Sequence, residues 1–382
     1  MGACLAERVN VPGDAHGTGR PGDTGGPRRP GRPGRTLALW GGAAALVLVA
    51  GGVAIGTVNA TVYSPEAQVE RYLDALADGD GAEALGLAGR GDATEGSGTP
   101  GPAPGTATTL LDGEPLAAGF SALEDLTVSA GEESGGTVEV AVAYRVHGRD
   151  HASTFTVERV GRDWLFFDRW RMAPVPLSTV RVAPGVWPAE AAGQQLASMV
   201  NGVEVTLTGD SSPVQDFAVL PPLAVEGSAA STYLDAAPAR TVVDGADPSQ
   251  PLPLTLDLQY TDAVAAEANR QLQEYLARCT EQQVLHPAGC PMGYETLNRI
   301  PPDSIDWSIA PDPTVEVEPL PRDGEGDDVT VAAPVQAEAR LTLEEIDLVT
   351  GERRRVQHEQ PLVLQADLQV GPESVSYLPQ SP

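Results

Sequence analysis

Lysine is absent from this chain of 382 residues; all 24 basic side chains are arginine. With the abundance of Ala, Gly, Pro and Val, that composition reads as GC-rich coding and points to a bacterium and its plasma membrane. The arginines are outnumbered by 53 acids, for a net charge of −29. So acidic a surface is repelled by polyanions, which excludes nucleic acid as a partner. It leaves two readings, a surface for cations or a basic partner, or the solubility of a secreted domain. There is no Walker A loop, no G-x-S-x-G, no H-E-x-x-H and no dinucleotide fingerprint. An acid–base site needs no such motif, so that chemistry stays open.

Charge is also missing locally. Residues 36–65 carry none, and residues 37–58, from Leu37 to Val58, are almost wholly apolar. Twenty-two helical residues reach about 33 Å, enough for a hydrocarbon core of roughly 30 Å. Trp40 lies near one end and Tyr63 just past the other, where amphipathic rings favour the interface. The competing reading is a cleavable signal peptide, for which Val58-Asn59-Ala60 offers small residues. Against it stand the length of the apolar run and of the leader before it. Arg28-Arg29 is followed by Pro30-Gly31 rather than by an apolar residue, unlike a twin-arginine start. A transmembrane helix over 36–60 is therefore predicted, and Gly52-xxx-Gly56 within it is a candidate homodimer contact.

Arg28, Arg29, Arg32 and Arg35 precede that span, and only Arg71 occurs in the twenty residues after it. Cationic flanks stay cytoplasmic, so the N-terminus is placed inside and the C-terminal bulk outside. Charge divides the same way. Residues 1–35 hold six arginines against three acids, net +3, and residues 61–382 hold eighteen against fifty, net −32. The arm 1–35 is rich in Gly and Pro, shows no apolar periodicity and is predicted to be disordered.

Cysteine is scarce as well, with three in the chain. Cys4 falls on the cytoplasmic side of this topology. Cys279 and Cys290 fall outside, where a disulfide between them persists. The alternative is a metal site with His286 between the two, but it supplies three ligands where structural zinc takes four. No cofactor is predicted.

Ser64-Pro65-Glu66 opens a helix on which Val69, Tyr72, Leu73 and Leu76 share a face. Asp78-Gly79-Asp80-Gly81 breaks it. An EF-hand reading fails there, because Ala82 stands at the fifth position and no Glu closes the loop. A short helix over 82–88, a low-complexity loop over 91–108 and an apolar segment over 110–120 follow. Strands are predicted at 123–129, 138–146, 152–160 and 164–172, with turns at 148–150 and 161–163. Pro174 and Pro176 mark a linker. Asn201-Gly202 signals a tight hairpin, with further strands at 215–220 and 239–243. The alternation from Leu252 to Tyr260 predicts one strand, Asp262 a cap, and 263–279 a helix burying Val264, Ala268, Leu272, Leu276 and Cys279. Strands near 305–318, 329–345, 353–369 and 373–378, with a turn from Asp347 to Arg353, complete the chain.

The anchor, the amphipathic helix ending in DGDGAEAL and the strands ending in DWLFFDRWRMAPVP resemble the NTF2-like, cystatin-like cone ectodomains of Gram-positive envelope proteins. The hairpin module after it is distantly similar to one in the teicoplanin-resistance-associated membrane protein family. There Leu-Pro-Gly follows the hairpin where this chain has Leu220-Pro221-Pro222, and the usual N-terminal zinc ribbon is missing, since Cys4 is alone. The resemblance implies wall-associated sensing or stress response. It also implies a hollow between helix and sheet, into which Tyr72, Tyr144 and Asp168 would face if the cone housed an acid–base site.

The predicted fold class is thus α+β, with the transmembrane helix leading into an NTF2-like cone (61–175). A linker and small all-β module (176–250) and a second α+β domain (251–382) complete it. The predicted function is a non-catalytic, single-pass envelope protein of the plasma membrane. Its partners would be the lipid bilayer and an envelope protein or wall component. The alternatives are an enzyme or small-ligand binder using the hollow, and a scaffold tethering the cytoplasmic arm to an outer partner.

Overall fold

The computed structural model describes residues 63–90, 101–163, 167–247, 249–310, 312–317, 330–331 and 334–380. The arm 1–35, with Arg28, Arg29, Arg32 and Arg35, and the span 36–60, with Leu37, Trp40, Val58 and the Gly52/Gly56 pair, lie outside them. Among the described residues no helix is long and apolar enough to cross a membrane.

Ser64 caps the first helix, α1 (Pro65–Asp78), by accepting from the Ala67 amide at 3.2 Å. Gly79 ends it in the left-handed region, at φ 71°. Val69, Tyr72, Leu73 and Leu76 are buried, as the spacing predicts. Asp80 accepts from the Glu83 amide at 2.9 Å and caps α2 (Gly81–Leu85), so this acid ends a turn. A Cβ on Gly81 would lie 1.9 Å from the Leu111 carbonyl oxygen, a close approach that only glycine permits. A third helix, α3 (Glu114–Ser121), leads into an antiparallel meander of β1 (Glu124–Ala130), β2 (Thr137–Val146), β3 (Arg149–Asp163) and β4 (Phe167–Met172). Val138, Val140, Val142, Tyr144 and Val146 are buried on its inner face, and α1 packs on that sheet.

Two turns differ from the prediction. The β2–β3 connection is His147-Gly148, at φ 49° and 74°, so that Arg149 already pairs with Val146. Gly161, Arg162 and Asp163 form no turn; they pair with Arg169, Asp168 and Phe167. A register shift at Val160 and an Arg162–Asp168 ion pair of 2.8 Å across the strands carry the ladder past the glycine.

The middle of the chain builds two sheets. Their strands are β5 (Ser178–Pro184), β6 (Leu196–Val200), β7 (Val203–Leu207), β8 (Gln215–Val219), β9 (Leu223–Ala230) and β10 (Leu234–Val243). Asn201-Gly202, at φ 45° and 80°, closes the predicted β6–β7 hairpin. The strand predicted over 252–260 divides at Asp257 into β11 (Leu252–Leu256) and β12 (Leu258–Tyr260). β11 runs parallel to β5 in the sheet β11-β5-β8, and β12 joins the sheet β12-β10-β9-β6-β7. Leu254, Leu256 and Leu258 stay buried in both halves, which is why the alternation reads as unbroken. The middle sheets thus take their last strands from beyond residue 250.

The last helix, α4 (Asp262–Thr280), buries Val264, Ala268, Leu272, Leu276 and Cys279. Its cap position is Thr261, not Asp262 as predicted, and the Thr261 hydroxyl donates instead to the Thr232 carbonyl at 2.7 Å. Two three-stranded sheets follow. One orders β13 (Asp306–Ala310), β15 (Val335–Ile346) and β16 (Arg353–Leu364); the other orders β14 (Thr330–Val331), β17 (Ala366–Gly371) and β18 (Ser374–Pro379). Side-chain amides join α4 to its neighbours. Asn269 brackets Val315, accepting from its amide at 2.7 Å and donating to its carbonyl at 3.2 Å. Gln271 does the same for β18, accepting from the Tyr377 amide at 2.8 Å and donating to the Val375 carbonyl at 2.7 Å.

The fold is α+β, and residues 57–382 form one compact unit. Hydrogen bonds cross both predicted boundaries. The Asn201 amide donates to the Pro115 carbonyl at 3.0 Å, and the Tyr233 backbone amide donates to the Pro372 carbonyl at 3.0 Å.

Candidate functional site

The space between α1 and the first sheet is filled. Tyr72 is fully buried, its ring meets Phe155 edge-on at 5.5 Å, and its hydroxyl donates to the Pro221 carbonyl at 2.6 Å. The Tyr144 and Ser153 hydroxyls lie 3.2 Å apart, both residues buried. Burial pushes both phenols above their ordinary range, so neither loses its proton near neutral pH. Asp168 stands between Arg162 at 2.8 Å and Arg159 at 3.7 Å. The three residues implicated by the cone resemblance therefore serve as two core phenols and a salt-bridged strand acid. Beside them a cleft of about 130 Å³ is bordered by Thr154, Thr156, Pro174, Pro221 and Asp244.

Among the described residues, the histidines do not converge on one site. His147 occupies a hairpin turn, His151 stacks on Tyr144 at 5.8 Å, and His358 meets Tyr294 at 5.1 Å. Cys279 and Cys290 are bonded to each other, with Cα atoms 5.7 Å apart. With both sulfurs in one bond, the alternative ligand set with His286 loses two of its three members. The loop they close is tied further. The Tyr275 hydroxyl donates to the Gly289 carbonyl at 2.9 Å, and the Trp307 indole donates to the Val284 carbonyl at 2.8 Å.

Among the described residues, a dense polar cluster surrounds Glu345 on β15, which is 1% exposed. One carboxylate oxygen accepts from the Tyr294 hydroxyl at 2.9 Å and from the Thr296 hydroxyl at 2.8 Å. The other accepts from the Asn298 amide at 3.0 Å and from two Arg354 nitrogens at 3.0 and 2.6 Å. The Arg354 guanidinium, reinforced by Thr296, Asn298 and Tyr294, outweighs burial and holds the carboxyl down at about 2. A carboxylate so fully occupied is a structural anchor. It fixes the segment 294–299 against the β15–β16 hairpin, where Arg299 and Ile346 also exchange backbone hydrogen bonds of 3.1 and 2.9 Å.

At the end of that hairpin three apolar side chains stand in solvent: Leu297 is 94% exposed, Leu348 68% and Val349 94%. The backbone that presents them is fixed. The Asp347 carboxylate accepts from the Val349 and Thr350 amides at 2.8 and 2.7 Å. Exposed aliphatic side chains on a hydrogen-bonded turn are a feature of interaction surfaces.

The turn over 347–353 that carries this apex is predicted; the Glu345 cluster and the exposure of Leu297, Leu348 and Val349 are not. One signal for the cluster was present, since Glu345 follows Leu341 and Leu343 at the inward positions of an alternating strand. An acid in that register needs partners. Nothing comparable marked Asn201, whose amide also accepts from the Glu226 backbone at 2.8 Å while its backbone makes the hairpin turn. Comparison with family models, curated proteins and solved structures finds no match for this chain.

Proposed function

We propose that the chain is a non-catalytic, single-pass protein of a bacterial plasma membrane, with the N-terminus cytoplasmic and the bulk outside, and that its outer part binds an envelope protein. The distant resemblance to the teicoplanin-resistance-associated membrane protein family adds wall-associated sensing as the setting. The observation that carries the non-catalytic reading is the filled space between α1 and its sheet, where Tyr72 and Phe155 occupy what a substrate would need. The adjoining cleft, about 130 Å³, is small beside the 300–1,000 Å³ typical of ligand pockets. The apex of Leu297, Leu348 and Val349 supports a protein partner over a glycan, because its contact surface is aliphatic.

A photo-crosslinking residue at Val349, activated in intact cells, tests this. One discrete crosslinked protein, lost when Leu297 and Leu348 are both replaced by Ser, is the expected result. No product, or a product that ignores those replacements, would overturn the binding role. Labelling a C-terminal cysteine tag with a membrane-impermeant reagent tests the topology, and labelling only after lysis would invert it.

A further inference from the structure

Five asparagines occur in the chain, and Asn201 alone is followed by glycine; Asn10, Asn59, Asn269 and Asn298 precede Val, Ala, Arg and Arg. The neighbour matters because a backbone nitrogen can attack the side-chain carbonyl carbon of the asparagine before it. A glycine nitrogen, with no Cβ beside it, meets the least obstruction. Of the five, Asn201 therefore has the highest intrinsic rate of deamidation.

The fold occupies both polar atoms of that side chain. The amide nitrogen donates to the Pro115 carbonyl at 3.0 Å and to the Ala224 carbonyl at 3.2 Å. The amide oxygen accepts from the Glu226 backbone at 2.8 Å, and the Asn201 backbone amide donates to the Glu226 carbonyl at 2.9 Å. The residue is 7% exposed. α3 closes over it through Gly119, where a Cβ would lie 2.5 Å from the Asn201 amide nitrogen and 2.6 Å from the Ala224 carbonyl oxygen. Attack by Gly202 requires the carboxamide to turn out of these bonds, so α3 must first leave β9.

We propose that Asn201 is a latent deamidation site, silent while α3 is docked on β9 and the β6–β7 hairpin, and that its conversion keeps this junction from closing again. Once the junction opens, the Gly202 nitrogen bonds to the Asn201 side-chain carbonyl carbon. The bond from that carbon to the amide nitrogen breaks, and ammonia leaves with the proton of the Gly202 nitrogen. Water then opens the cyclic imide at either carbonyl, giving aspartate or isoaspartate, with no change of oxidation state. In aspartate an oxygen that cannot donate replaces the amide nitrogen, opposite the Pro115 and Ala224 carbonyls in a buried site. In isoaspartate the main chain also gains a methylene inside a two-residue turn, which upsets the β6–β7 register.

The test holds the full chain, in detergent and mildly alkaline buffer, either folded or in guanidinium chloride for matched times. Conversion is read from the mass of the peptide containing residue 201. It is expected to run at least about tenfold faster in denaturant, because a buried group reacts only through openings of the fold. Converted and unconverted chains, separated by the added negative charge, are then refolded side by side. The unconverted chain should regain the parent melting temperature and the converted chain should not. Equal conversion rates in folded and denatured protein would overturn the protection, and a converted chain that melts like the parent would overturn the block on closure. Asn201→Gly suits the same turn and cannot deamidate. It should start less stable and lose nothing further on incubation in denaturant. If it folds and then loses refolding as the parent does, damage elsewhere is responsible and the proposal falls; if it does not fold, the two separated fractions decide.

Discussion

The regions 65–172 and 262–379 share a plan and close it by opposite means. Each sets one amphipathic helix on antiparallel strands. In the first, the helix meets its sheet through Val69, Tyr72, Leu73 and Leu76 on a run of valines, and the polar atoms among them include the Tyr72, Tyr144 and Ser153 hydroxyls, the last two paired with each other. In the second, a disulfide, side-chain amides bracketing neighbouring backbone and a buried carboxylate with five donors hold the same kind of assembly. The difference lies in how the backbone between elements is satisfied. The first sheet is an unbroken meander, whereas the segments 282–299 and 312–317 have no ladder of their own. Several of their amides and carbonyls are satisfied by side chains instead, as at Val284, Ala288, Gly289, Gly293 and Val315.

The largest expected effect is in the apolar region. Leu73→Asp places an unpaired charge at a site 6% exposed, and should cost about 4 kcal/mol or more. The measurement is chemical denaturation of the outer part. Glu70→Ala, one turn away on the exposed side, serves as control. A Leu73→Asp protein that melts like its parent would show that the packed face of α1 is wrongly placed.

Next comes Glu345→Ala, which leaves Arg354, Tyr294, Thr296 and Asn298 without their acceptor and should cost about 3 kcal/mol. Hydrogen exchange should rise over 294–299 and leave α1 unchanged, which separates the two regions. The same group gives a pH dependence. Its carboxyl is held at about 2 against an ordinary 4.5, so its contribution is complete above pH 4.5 and drains away as pH falls from there towards 2. Glu345→Gln should flatten that limb of the stability curve, and an unchanged limb would remove Glu345 from the account.

Reduction of the disulfide should cost close to 3 kcal/mol on the chain-entropy account, for a loop of separation 11. The outer part should melt lower in reductant and not respond to chelator. Two free thiols in the native outer part, which lacks Cys4, would show that the bridge does not form.

These contrasts explain what the sequence could convey. The helix faces and the strands of the first meander could be read because period 3.6 and period 2 are written directly in Val, Leu and Tyr. The middle strands were harder. β9, with the sequence Leu-Ala-Val-Glu-Gly-Ser-Ala-Ala, has little intrinsic strand preference and takes its form from lying between β6 and β10. The break at Asp257 was hidden because the alternation continues across it. The polar closures were hardest, since they pair residues as distant as Asn201 with Pro115 and Glu345 with Tyr294. Spacing along the chain carries no sign of such contacts.

The smallest predicted effect calibrates the comparison from a site in neither region. Ser198 on β6 is 2% exposed, and its hydroxyl has no hydrogen-bond partner. It faces inward with Leu196 and Val200. The Tyr72 hydroxyl and the Glu345 carboxylate, by contrast, each have a partner at hydrogen-bond distance. An orphaned buried hydroxyl keeps its desolvation cost without that compensation. Ser198→Ala removes the oxygen, retains nearly the same volume beside Ala229 and should stabilise by up to about 1 kcal/mol. A rise in melting temperature with unchanged denaturant slope is the expected reading. A fall of similar size would mean that the hydroxyl is satisfied in solution, by a bound water or by a shift of β6, and that this sheet closes as the C-terminal region does.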